Sequence, residues 1–168
     1  MSEPVGVQNY LELITGDGKS TFKLDFTKLN QVESRIEEVR LANPLTLPDL
    51  IVDFTVAMSK AADLIGQVEV ELRTAQRELD ITESIALLER VEMVLKDKKV
   101  KSSADTRKAA VALDKEVMAA RERVDVLTAV SKLLSNKRLA VEMAYYSAKK
   151  VCEYNALPLS TRNLAGGR

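Results

Sequence analysis

The sequence predicts an all-α protein: an elongated, coiled-coil-like helical bundle with a short irregular N-terminal arm and a flexible C-terminal tail. Three observations predict it. Ile51, Met58, Ile65, Leu72 and Leu79 recur every seven residues, and Phe54, Ala61, Val68 and Ala75 fill a second seam position between them. That 3-4 spacing marks a helix that packs against another helix. Only six Gly and four Pro occur in 168 residues, most of them outside the middle of the chain, too few turn residues for a β-sandwich. Hydrophobic residues make up 46% but aromatics only 4%, with no Trp, so Leu, Val, Ile, Ala and Met must supply the core. The length is that of one domain, or at most two small ones.

The elements follow in order. Residues 1–26 form the arm. Within it TGDGKS at 15–20 is turn chemistry, and residues 21–26 alternate with period two, as a short strand or an extended arm would. A helix over 27–41 carries Leu29, Val32, Ile36 and Val39 on one face, with Asp25 or Thr27 as its cap. Pro44 and Pro48 end it, since neither supplies a donor and each restricts its predecessor. A second helix is predicted over 48–80, with Pro48 in its first turn. Asp80 with Glu83 reads as a capping box, so a break is expected there, and Ile85, Leu88 and Leu95 carry a third helix over 81–96. The charged run 96–103 connects. Ser102, with Asp105 at the third helical position, caps a last helix over 103–154. Its seam is Ala110, Leu113, Val117, Ala120, Val124, Leu127, Leu134, Val141, Tyr145, Ala148 and Cys152, interrupted by Ser131 and Arg138. About 50 residues at 1.5 Å each give roughly 75 Å, so this helix is expected to bend or to project. Residues 155–168 form the tail, a flexible end or a strap with Leu157, Leu159 and Leu164.

Composition excludes several chemistries. The chain has no His, so imidazole serves neither as base nor as metal ligand. A single cysteine, Cys152, forms no internal disulfide and no thiolate zinc site. No basic start followed by an apolar run opens the chain, and no stretch reaches the roughly 18 apolar residues of a membrane span. The expectation is a soluble cytoplasmic protein in a reducing compartment. Gly18-Lys19-Ser20 matches the end of a phosphate-binding loop, but Leu13 stands where the first glycine belongs and no helix pattern follows. No nucleophile with its base, metal shell or cofactor loop is present, so the chain reads as a non-enzyme without cofactor.

Charge is distributed unevenly. The formal net charge is zero, yet residues 1–95 hold 9 basic and 17 acidic side chains and residues 96–168 hold 16 and 8. Either the basic half meets a polyanion, or the two halves neutralise each other. Two basic groups are candidates for single-stranded DNA. The first is Lys96, Lys98, Lys99 and Lys101 with Arg107 and Lys108 at the following helix start, suited to sequence-independent phosphate contact. The second is Lys137, Arg138, Tyr146, Lys149 and Lys150, in which a ring can stack on a base while cations hold phosphates. Arg138, if it sits on the seam, fixes helix register.

Residues 22–29, Phe-Lys-Leu-Asp-Phe-Thr-Lys-Leu, followed by a helix, resemble the N-terminal entry of phage recombination mediators of the UvsY type. Residues 100–106, Val-Lys-Ser-Ser-Ala-Asp-Thr, and the long helix with Leu127, Leu134 and Lys137-Arg138 resemble the C-terminal part of that family. The family's basic, tyrosine- and glycine-rich segment before the C-terminal helix has no counterpart here, and Lys96 to Lys101 stand in its place. The resemblance implies a small helical homo-oligomer that binds single-stranded DNA, loads a recombinase and helps displace single-strand-binding protein in a bacterial or phage-infected cell. The alternative is a structural protein of a phage virion or other assembly, held by helix packing and the C-terminal strap.

Overall fold

The computed structural model describes residues 9–14, 21–41, 45–97 and 103–156. The fold is mostly all-α, as the periodicity predicts; the alternating segment is the second strand of a pair whose first strand, over 10–14, is absent from the sequence expectation. Strands β1 (Tyr10–Ile14) and β2 (Thr21–Asp25) form a two-stranded sheet. Helices α1 (Thr27–Glu33) and α2 (Glu38–Leu41) follow. Then come α3 (Leu47–Ile85), a π-helical turn (Ala86–Arg90) and α4 (Val91–Asp97) without interruption. Helices α5 (Ala104–Ala112) and α6 (Lys115–Ala156) complete the order. Residues 15–20, with the Gly18-Lys19-Ser20 turn, and residues 157–168 of the expected tail lie outside the described residues.

Four boundaries differ from the sequence expectation, each for a local reason. The helix expected over 27–41 is interrupted at 34–37. The Ser34 hydroxyl donates to the Gln31 carbonyl at 2.8 Å, and the Arg35 N–H turns to the Val32 carbonyl at 3.0 Å instead. A side-chain donor thus takes the acceptor that a continuing helix would use. The break expected at Asp80 is absent. Glu83 reaches Arg121 rather than back to Asp80, and Thr82 and Ser84 donate to the Glu78 and Asp80 carbonyls within an unbroken helix. The irregularity falls later, as the π turn. The helix expected to start at Ser102 is capped by Ser103. Ser103 Oγ accepts from Thr106 N at 3.2 Å and Thr106 Oγ1 accepts from Ser103 N at 2.8 Å, a closed capping box. Finally, the single helix over 103–154 is two. Asp114 Oδ1 accepts from Glu116 N and Val117 N and starts α6 anew, leaving Leu113 exposed rather than on a seam.

The chain divides into two compact units. Unit 1 comprises residues 1–13, 22–65 and 133–168. Its buried side chains are Leu24, Phe26, Leu29, Val32 and Val39, then Leu47, Leu50, Phe54, Ala57, Ala61 and Leu64 of α3, and Leu134, Val141, Ala144 and Ala148 of α6. Phe26, rather than Asp25 or Thr27, stands at the N-cap of α1, with no side-chain cap bond; Asp25, one position before the cap, accepts from Thr27 N through Oδ1 at 2.9 Å. Arg35 pairs with Glu38 at 3.1 Å and with Asp53 of α3.

Unit 2 comprises residues 14–21 and 66–132. Ala86, Val91, Leu95, Val111 and Val117 form a buried cluster, with Leu79 and Ala110 packed against it. Arg90, at the end of the π turn, pairs with Asp114 at 2.9 Å and Glu116 at 2.5 Å, and so ties that turn to the start of α6.

On α3 the seam position of Phe54, Ala61, Val68 and Ala75 is buried as expected, while the other position falls one residue earlier than the heptad of Ile51, Met58 and Ile65. Leu50, Phe54, Ala57, Ala61, Leu64, Val68 and Ala75 are buried, whereas Ile51, Met58, Ile65, Leu72 and Leu79 are half-buried. Gly66 lies exposed inside the same helix, with nothing within 4 Å of where a Cβ would stand. Gly66→Ala is expected to raise stability by about 1 kcal/mol, because alanine loses less backbone freedom on helix formation. A urea titration reads this as a higher midpoint at unchanged slope; a lower midpoint refutes it.

Candidate nucleic-acid interface

The same count along α6 identifies its inward stripe. Leu127, Val130, Leu134, Val141, Ala144 and Ala148 are buried, at alternating steps of three and four once position 137 is included. Counting back from Leu127 by four reaches Arg123. Arg123 and Lys137 therefore occupy seam positions two heptads apart, and their side chains are only 20% and 19% exposed. Arg138, expected on the seam, is exposed. A one-residue step is 100° around a helix, enough to exchange a seam cation for a solvated one.

Each seam cation is neutralised by acids of the N-terminal half. In unit 2, Arg123 pairs with Glu71 at 3.3 Å and Glu78 at 2.5 Å. These two carboxylates stand one heptad apart, on the continuation of the α3 stripe through Val68 and Ala75. Arg121 meets Glu83 at 2.6 Å. The higher α6 number meets the lower α3 numbers, so the two segments run antiparallel within this unit. In unit 1, Lys137 Nζ donates to Asn30 Oδ1 at 3.3 Å and pairs with Glu33 of α1. Among the described residues no polar or charged side chain is fully buried, so these pairs keep some contact with water.

The candidate DNA-binding residues separate accordingly. In unit 2, Lys96 is exposed in the last turn of α4, and Lys108 is exposed on α5 beside a shallow cleft lined by Asp80, Glu83 and Arg121. Arg107 is paired with Glu92 at 3.1 Å. Lys98, Lys99 and Lys101 lie outside the described residues. In unit 1, Lys137 is committed to Glu33, while Arg138, Tyr146, Lys149 and Lys150 are exposed on α6. Arg138 and Lys149 are eleven residues apart, which returns to within about 20° of the same line. Tyr146 and Lys150 are one turn apart on the adjoining strip. The Tyr146 ring stands edge-on to Tyr145, 5.3 Å between centroids, and Tyr145 is the half-buried member of the pair.

Sequence reading thus missed Arg121 and Arg123, and it exchanged Lys137 for Arg138. The signal was present in the 3-4 count from Leu127, but Ser131 and Arg138 also fit a 3.5-residue repeat when the count starts from Val124. Among the described residues no group of three acidic or cysteine side chains is placed to hold a metal ion, and no helix is long and apolar enough to cross a membrane. In comparisons with protein-family models, with curated proteins and with solved structures, nothing matches this chain.

Proposed function

We propose that the chain is a non-enzymatic accessory protein of recombination, mediator-like, that binds single-stranded DNA and a recombinase and acts as a homo-oligomer. The observation that supports the DNA contact is the outward strip of α6 in unit 1. Arg138, Lys149 and Lys150 form no ion pair among the described residues and flank the exposed Tyr146. Cations left over after internal neutralisation are available to phosphates, and an exposed ring offers a face to any base. The recombinase and the single-strand-binding protein enter as partners through the resemblance to UvsY-type mediators alone.

The test is fluorescence anisotropy of a labelled oligothymidylate over a salt series. The triple variant Arg138→Gln, Lys149→Gln, Lys150→Gln is expected to bind more weakly at low salt. Its log–log salt slope should be shallower by about 2, since each phosphate contact on a single strand contributes roughly 0.7. Tyr146→Ala is expected to weaken binding with no change in that slope, because stacking releases no counterions. No binding at about 50 mM salt, a condition at which phosphate contacts still count, refutes the proposal, as does a triple variant that behaves like the parent.

A second reading has its own observation. Arg107, Arg121, Arg123 and Lys137 of the basic half are all paired with acids of the acidic half, which favours a structural protein of a virion or other assembly whose charge asymmetry serves folding. Deleting residues 157–168 would then abolish assembly.

A further inference from the structure

We propose that the outward face of α6 in unit 1 is a self-complementary surface that pairs antiparallel with the same face of a second copy of this chain. Leu139, Met143 and Tyr146 are 55%, 64% and 53% exposed, and with Lys150 they repeat the 4-3-4 spacing of a helix seam on the side away from the core. Apolar side chains gathered on one exposed stripe, rather than scattered singly, mark a surface that another element covers. In heptad terms Leu139 and Tyr146 take the d position and Met143 and Lys150 the a position.

The flanking charges select the occupant and its direction. Glu142 and Lys149 are seven residues apart on one flank of this stripe, and among the described residues neither forms an ion pair. With a two-fold axis between Ala144 and Tyr145, Met143 meets Tyr146 of the second copy and Leu139 meets the stem of its Lys150. Glu142 then stands beside Lys149 of the second copy, and the symmetry repeats the pair. A parallel pairing sets Glu142 beside Ser147 and Lys149 beside Tyr154 instead, with no opposite charge in reach. The opposite flank carries Ala140 and Ser147, small enough for close approach. One strip of a single helix is small against the area that stable complexes bury, so the expected pairing is weak and depends on concentration.

The pairing stands without the DNA reading and has a consequence for it. It covers Tyr146, Lys149 and Lys150, so the paired strip and a DNA-bound strip exclude each other.

The experiment is sedimentation equilibrium of the full chain over a concentration series, with circular dichroism to verify helix content. The parent is expected to associate. Glu142→Lys alone, and Lys149→Glu alone, each place like charges together twice and should weaken association about tenfold or more, a change of one unit in log Kd. The double reversal restores opposite charges and should return association to near the parent value. A monomeric parent, single reversals without effect, or a double reversal that stays as weak as the singles each overturns the inference. The outcome is read without DNA, so it is independent of oligonucleotide binding.

Discussion

Replacing Phe54 by alanine is expected to cost about 3–5 kcal/mol, the range for deleting a buried ring. Phe54 is fully buried in the inward stripe of α3, and its stripe neighbours Ala57 and Ala61 are small. Methyl side chains on a rigid helix cannot move in to refill the space, so most of the cavity would persist. A domain has only about 5–15 kcal/mol in hand, so the variant should be close to unfolding at 37 °C. Equilibrium urea unfolding measures this, and the control is Ile51→Ala. Ile51 belongs to the heptad that the sequence alone favours, yet it is half-buried, and its truncation should cost clearly less than that of Phe54. Equal costs would show that the inward stripe has been misplaced.

Arg123→Ala should cost about 2–3 kcal/mol. Removing one partner from a buried ion pair typically costs about 3–5 kcal/mol, because the other charge is left desolvated and alone. Here Glu71 and Glu78 keep 26% and 40% of their side-chain surface, and water screens part of the loss. Arg138→Ala is the contrasting variant and should stay within about 0.5 kcal/mol, as exposed substitutions do. Replacing Arg123, Glu71 and Glu78 together by leucine should recover most of the stability, since an apolar layer of similar volume has no desolvation to repay. If Arg138 proved the costly position, the seam register on α6 would be refuted. If the triple replacement remained as unstable as Arg123→Ala, the ion cluster would be supplying stability rather than register.

The helical class, the strand over 21–25 and the place of Pro48 in the first turn of α3 were legible in the sequence. Each rests on interactions between residues a few positions apart. The boundaries that moved are those at which a local signal competes with a distant one. Glu83 could close a capping box on Asp80, but Arg121 lies across from it and takes the carboxylate. Asp114 could be one more polar residue in a long helix, but Arg90 fixes it and its carboxylate starts a new one. The candidate site fared likewise. Lysines and arginines are counted readily, but whether a given one is free depends on an acid up to about a hundred residues away, as Glu33 is from Lys137.

Period and composition alone specified rods of helix with an apolar stripe, because the 3.6-residue turn is a property of the backbone. Which of two neighbouring stripes turns inward was left open. Ile51, Met58 and Ile65 make as good a heptad as Leu50, Ala57 and Leu64, and they lie only one step around the same helix. Packing settled that choice, and with it the fate of each cation. Arg123 and Lys137 were drawn toward the carboxylates of Glu71, Glu78 and Glu33, while Arg138, Lys149 and Lys150 were turned toward water. Opposite charges find each other only after the chain has folded back, so their pairing is set by the tertiary structure.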